Sequence, residues 1–188
     1  HDYAKKATRQ GDFDPEKDEK LTEQWSRIIM HLPYAFQAKR MFPDVFRHDR
    51  QDSEMWANIT EKIGLTPELP QSDDEALVAN WEQEMDAYRR AISKTPEYIE
   101  FHASRIEKGQ RASSLIGNQY TGSIFLALMS TFESDLEENC NLDNTKFGLC
   151  GYGSGAKAKV FGGTVHQRWR EVVSRWHLFE RLAGRIAI

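Results

Sequence analysis

The segment Gly122–Phe132 (GSIFLALMSTF) is apolar on nearly every side. A helix of that composition has no face to offer water, so it is expected to be covered all round, as in the middle layer of an α/β protein. Its neighbours suit that reading. Ser113–Ile116 is short and apolar enough for a strand, Lys146–Cys150 reads as a strand running into the turn Gly151–Gly155, and Lys159–Val165 is a further strand candidate. Arg168–Leu182 reads as a last amphipathic stretch. With 188 residues, 39% hydrophobic and 29% charged, the chain suffices for one domain with one core.

The stretch before Gly109 has a different character. Residues 1–7 read like the end of a helix begun earlier, and the chain stops on apolar residues, so both termini are expected to be cuts. Residues 8–24 are polar, with Asp14-Pro15-Glu16 a short helix start. Arg27–Leu32 is an apolar run of strand length, and Pro33 ends it. Residues 34–47 read as a helix that Phe42-Pro43 interrupts or kinks. Ser53 can cap a helix closing at Gly64, and Ser72 with Glu75 forms a capping box. Val78, Trp81, Met85, Tyr88 and Ile92 step by three and four, the buried face of a long helix. Thr95-Pro96-Glu97 begins another. Packing is the plain reading of these aromatics.

Charge and composition exclude several functions. A net charge of −4 gives no electrostatic reason to expect nucleic acid as a partner. No apolar run reaches the roughly 18 residues that a membrane span needs. Two cysteines, Cys140 and Cys150, make no disulfide framework, and a soluble cytoplasmic protein is expected. Their spacing and the absence of a paired-histidine motif speak against zinc.

Three segments can carry chemistry. In Met30-His31-Leu32-Pro33-Tyr34, a histidine ends a buried strand, where α/β enzymes place working groups, although a lone histidine there is more often structural. In Gly117-Asn118-Gln119-Tyr120-Thr121-Gly122-Ser123, the Asn118 amide can hold a carbonyl or hydroxyl, or can simply cap a helix. Gly151-Tyr152-Gly153-Ser154-Gly155-Ala156 has the form of a dinucleotide fingerprint, with Glu171 as its ribose acid. That fingerprint must open a helix, whereas the residues that follow suit a strand, so a tight turn letting backbone approach a ligand is the better reading. Such a turn predicts a positive φ at Gly153 or Gly155.

In this order the three segments resemble the 3-hydroxy-3-methylglutaryl-CoA synthase family over about residues 25–165. Its histidine–x–proline–aromatic motif with following basic residues corresponds to His31, Pro33, Tyr34, Lys39 and Arg40; its G-N-x-Y-T-G-S to Gly117–Ser123; its Y-G-S-G to Tyr152–Gly155. The resemblance implies the C-terminal half of a thiolase-like layered α-β-α fold, with a helical segment inserted at about 53–108. It implies condensation of acetyl-CoA with acetoacetyl-CoA, no cofactor beyond these CoA thioesters, and a homodimer. His31 would be the catalytic histidine that holds and polarises the acetoacetyl thioester carbonyl. Asn118, Tyr120, Gly153 and Ser154 would meet the acyl group, and Arg40 and Lys39 the CoA phosphates. His31, Asn118 and Ser154 should then share one cleft.

Two departures accompany it. The family's nucleophilic cysteine and its glutamate acid/base lie before the histidine, and nothing before residue 25 resembles their segments. Cys150 falls at an ordinary strand position, so neither cysteine replaces the nucleophile. A missing N-terminal half is therefore expected to supply it, and part of the apolar core should lie bare without that half. Phe36 also stands where many members have a lysine. Two rivals remain: a sister enzyme acting on an acyl carrier protein in polyketide branching, which Lys39 and Arg40 disfavour, and a non-catalytic helical interaction domain.

Overall fold

The computed structural model describes residue 20, residues 22–153 and residues 157–186. The helix end expected at 1–7, the short helix start at Asp14 and the turn residues Ser154 and Gly155 lie outside them. The chain divides into two compact units, one of His1–Ala38 with His102–Ile188, the other of Lys39–Phe101.

The first unit is built on a three-stranded sheet in the order β1-β2-β3. Strand β1 (Trp25–Met30) runs parallel to β2 (Lys146–Gly153), with Arg27 opposite Phe147 and Met30 opposite Cys150. Strand β3 (Lys157–Thr164) returns antiparallel to β2, from Gly153↔Lys157 to Lys146↔Thr164. The β2–β3 hairpin settles the glycine-rich segment: Gly151 and Gly153 lie within a strand, and the next described element is a strand, not a helix. Gly153 has no positive φ. Its extended backbone continues the ladder three residues further than the sequence suggests. Gly148 has another reason to be glycine. A Cβ there would lie 2.2 Å from the ring of buried Trp25, so the strand accepts the indole only without a side chain.

The helices are numbered along the chain: α1 (Gln37–Arg50), α2 (Glu54–Ile63), α3 (Glu75–Ile92), α4 (Pro96–Arg105), α5 (Gln110–Ile116), α6 (Ser123–Glu137), α7 (Trp169–Val173) and α8 (Leu178–Ile186). Short 3₁₀ turns precede α5 and α6 at Glu107–Gly109 and Tyr120–Gly122. Ser113–Ile116, expected as a strand, is the end of α5. An apolar run this short fits either state, and here the buried Ala112 and Ser113 pack it as a helix, with the Ala112 N–H donating to Ser130 Oγ of α6 at 3.1 Å.

The described residues cover only part of helix α6. It buries its small side chains, Ser123, Ala127, Ser130, Thr131 and Ser134, and leaves Phe125 64% exposed. Close approach explains the choice: Ser130 Oγ donates to the Lys108 carbonyl at 2.6 Å, and a Cβ on Gly109 would lie 3.2 Å from Thr131 Oγ1. Further along, Phe132 stacks on Phe147 at 5.1 Å and meets Trp169 and Trp176. The last amphipathic stretch is two helices rather than one, broken at His177 with φ 52°. Buried Glu133 caps the second by accepting from the Leu178 and Phe179 N–H groups at 2.8 and 3.0 Å.

The second unit packs its helices on Phe42, Phe46, Trp56, Ile59, Met85, Tyr88, Ile92 and Tyr98, all buried. Ser53 and Gly64 bound α2 as the sequence indicates, with Gly64 at φ 90°. Thr95 Oγ1 accepts from the Tyr98 N–H at the start of α4. Helix α3 is capped by Asp74, which accepts from the Ala76 N–H at 2.9 Å, instead of by the Ser72–Glu75 box. Ser72 acts one step earlier, accepting from the Asp74 N–H. Among the described residues no helix is long and apolar enough to cross a membrane.

Pro43 lies inside α1 without ending it. A proline there leaves the Lys39 carbonyl without its i+4 donor. The hydroxyl of Tyr98, itself fully buried, donates to that carbonyl at 3.1 Å instead. Burial pushes the Tyr98 phenol well above its ordinary value, so it stays a donor. Tyr98→Phe is expected to cost about 1–2 kcal/mol in chemical denaturation by orphaning this acceptor. In a Pro43→Ala background the restored backbone N–H can fill the same place, so the cost should shrink. Equal costs in both backgrounds would show that the hydroxyl does not compensate the proline.

Candidate functional site

The carboxyl ends of β1 and β2 lie side by side because the pair is parallel. This is where open α/β sheets gather ligand-binding groups. His31 follows the last residue of β1, and its N–H extends the ladder by donating to the Cys150 carbonyl at 3.0 Å. The next amide, Leu32 N–H, has left the ladder and donates to Ser123 Oγ at 3.0 Å. The same Oγ lies 2.7 Å from His31 Nδ1. Ser123 is the first residue of α6 and is fully buried, while His31 is half-buried.

A second wall comes from β2. The ring of Tyr152 meets the imidazole edge-on at 5.2 Å and 83°. Its hydroxyl accepts from Gln37 Nε2 at 3.3 Å. The histidine is thus gripped by one strand, one helix start and one aromatic ring.

The asparagine segment forms the loop leading into Ser123. Gly117 ends α5 at φ 77°, with nothing within 4 Å of a Cβ placed there, so conformation and not space calls for glycine. Asn118 is exposed, and its Oδ1 accepts from the Tyr120 N–H at 2.7 Å. The asparagine therefore latches the loop rather than capping α6. Among the described residues nothing bonds its Nδ2. Tyr120 is 77% exposed and sits at φ 50°, a costly conformation for a bulky residue and one found at ligand-handling sites.

From this motif the structure brings Ser123 to His31. Ser154 lies outside the described residues, while Gly153 ends β2 one residue beyond Tyr152. Lys39 and Arg40 are exposed residues of α1. Sequence reasoning passed over Ser123, Tyr152 and Gln37 as site residues. A serine at the head of an apolar helix was the available signal for the first.

The two cysteines lie in different surroundings. Burial pushes the Cys150 thiol up to about 12, which leaves almost no thiolate at neutral pH. Cys140 lies 3.5 Å from Lys108 Nζ, in a separate charged cluster. A cavity of about 550 Å³ lies elsewhere, lined chiefly by apolar residues such as Phe132, Phe147, Trp169 and Trp176, and does not include His31.

Comparison with known proteins bears on the family and the fold. A hydroxymethylglutaryl-CoA synthase of Haloferax volcanii is 25% identical over 161 residues, 86% of this chain and 36% of that protein. Among solved structures, MvaS in complex with 3-hydroxy-3-methylglutaryl coenzyme A superposes with a TM-score of 0.64 at 23% identity, over 97% of this chain and 36% of its own. PksG, a synthase from Bacillus subtilis, gives 0.52 at 15% identity, over 88% and 30%. These likenesses show a mixed α/β, thiolase-like fold. The chain spans about a third of the length of these relatives. The family described as hydroxymethylglutaryl-coenzyme A synthase C terminal matches across residues 1–188, and the chain belongs to that family.

Proposed function

We propose that residues 1–188 are the histidine-bearing part of a hydroxymethylglutaryl-CoA synthase that condenses acetyl-CoA with acetoacetyl-CoA, as in mevalonate formation. The observation that carries the reading is His31, held by Ser123 and Tyr152 at the carboxyl end of a parallel strand pair, in a chain that matches the family throughout. The reaction needs a nucleophile, a proton-transfer group and a donor that polarises the ketone or thioester carbonyl. This chain supplies the donor. His31 holds the acetoacetyl thioester carbonyl; Asn118, through its unengaged Nδ2, with Tyr120, Gly153 and Ser154, lines the acyl group. Arg40 and Lys39 are assigned to CoA phosphates. The cysteine and glutamate are assigned to a segment outside residues 1–188, within a cytoplasmic homodimer, and the helical segment of about 53–108 to an insertion.

A second reading has its own support, since a curacin-pathway HMG synthase solved with holo donor-ACP is among the structural relatives, at a TM-score of 0.55 and 16% identity. The test is direct. The complete polypeptide that contains this chain should release free CoA from acetyl-CoA plus acetoacetyl-CoA, followed with a thiol reagent. Activity only with acetoacetyl carrier protein would favour the second reading. Activity with neither would refute both. Residues 1–188 alone should be inactive.

A further inference from the structure

Ser123 has one proton and two neighbours that matter. Leu32 N–H can only donate, so it fixes one lone pair of Ser123 Oγ as an acceptor. Nδ1 of His31, 2.7 Å away, can donate or accept. If Nδ1 donated, the serine proton would need another acceptor, and among the described residues none bonds to it. With the serine donating, every group is satisfied, which a fully buried hydroxyl demands. Nδ1 is then the acceptor, and the neutral ring carries its proton on Nε2. Among the described residues nothing hydrogen-bonds Nε2, and the Tyr152 ring stands nearly perpendicular to the imidazole at 5.2 Å.

We propose that Ser123 is a positioning residue that fixes His31 as the neutral Nε2–H tautomer. The nitrogen left for a ligand is therefore a hydrogen-bond donor and not a base. Resting on the function proposed above, this assigns the ring to holding a carbonyl oxygen and leaves proton abstraction to another group. The serine proton gives the device its direction, because among the described residues Nδ1 is its only acceptor, while the Leu32 amide occupies one lone pair of the same oxygen.

The experiment is nitrogen-detected NMR of the complete polypeptide with ¹⁵N-labelled histidine, above the pH at which the ring is doubly protonated. The His31 signals are identified by their loss in His31→Asn. Wild type should show Nε2 in the pyrrole-type range and Nδ1 in the pyridine-type range. Ser123→Ala should shift the ring toward the other tautomer, and Ser123→Thr, which keeps the hydroxyl, should restore the wild-type pattern. In turnover, Ser123→Ala should lower kcat about ten- to a hundredfold, with KM changed far less, each factor of ten being one lost modest hydrogen bond's worth of barrier. An Nδ1–H ring in wild type, or an unchanged ring in Ser123→Ala, would overturn the proposal, and the wild-type spectrum decides even if the alanine variant does not fold. The expected tautomer in an enzyme that fails to condense the two thioesters would leave this inference standing and refute the function.

Discussion

Replacing His31 with alanine is expected to lower condensation by about 10²–10³-fold, the range seen when one donor to a developing oxyanion is removed. The loss should fall on the carbon–carbon bond-forming step. In the proposed reaction, transfer of acetyl from acetyl-CoA to the nucleophile precedes contact with acetoacetyl-CoA, so acetyl exchange should survive far better than overall turnover. The check is to measure both in one preparation: exchange of label between acetyl-CoA and CoA, and release of CoA in the full reaction. Equal losses in the two would mean that the ring serves the nucleophile instead. Little loss in either would remove His31 from the chemistry.

The second large effect concerns stability. Asp135 of α6 is fully buried, yet it meets Arg27 of β1 at 2.5 and 2.9 Å and Lys108 at 2.6 Å. Burial alone would raise its carboxyl; the hydrogen bonds and charges of Arg27 and Lys108 outweigh that and hold it below the usual carboxylate value of 3.8. Lys108 also reaches Glu138 at 2.6 Å, on the exposed side of the cluster. Asp135→Asn keeps the shape and removes the charge, leaving two cations facing a neutral amide. The expected cost is about 3–5 kcal/mol, as for other buried pairs broken from one side. The sign with pH follows from the depressed value. The folded state holds this proton less tightly than the unfolded state, so the stabilisation is complete above about 3.8 and fades as pH falls through the folded value. Urea midpoints of wild type and Asp135→Asn should therefore lie far apart at neutral pH and converge below about 3.8. A constant gap would show that the asparagine acts through packing instead.

Much of the fold was legible where local chemistry decides. Ser53 and Gly64 set the ends of α2, and Thr95 with Pro96 sets the start of α4, because a cap needs only its own helix. Hydrophobic pattern misled where tertiary contact decides. In α6 the face buried among the described residues is the small and hydroxyl-bearing one, which lets the helix approach the Lys108–Gly109 turn closely. Pro43 reads as a helix breaker until the Tyr98 hydroxyl is seen to replace the missing amide. In the site, His31 and the Gly117–Ser123 motif were visible as segments. The bond between His31 and Ser123 was not, because it joins residues 92 apart in the chain.

The parallel pairing of β1 with β2 has a consequence for synthesis. Ser26 donates to the Lys146 carbonyl across 120 residues. At about 5–20 residues per second, the ribosome delivers β2 roughly 6–24 s after β1. Through that interval the edge of β1 that β2 will cover, with Ile28, Ile29 and Met30, stays open. An open apolar strand edge is a template for the wrong partner. The nascent chain thus passes through a window in which a holdase chaperone has a defined target, closed only when Lys146–Gly153 emerges.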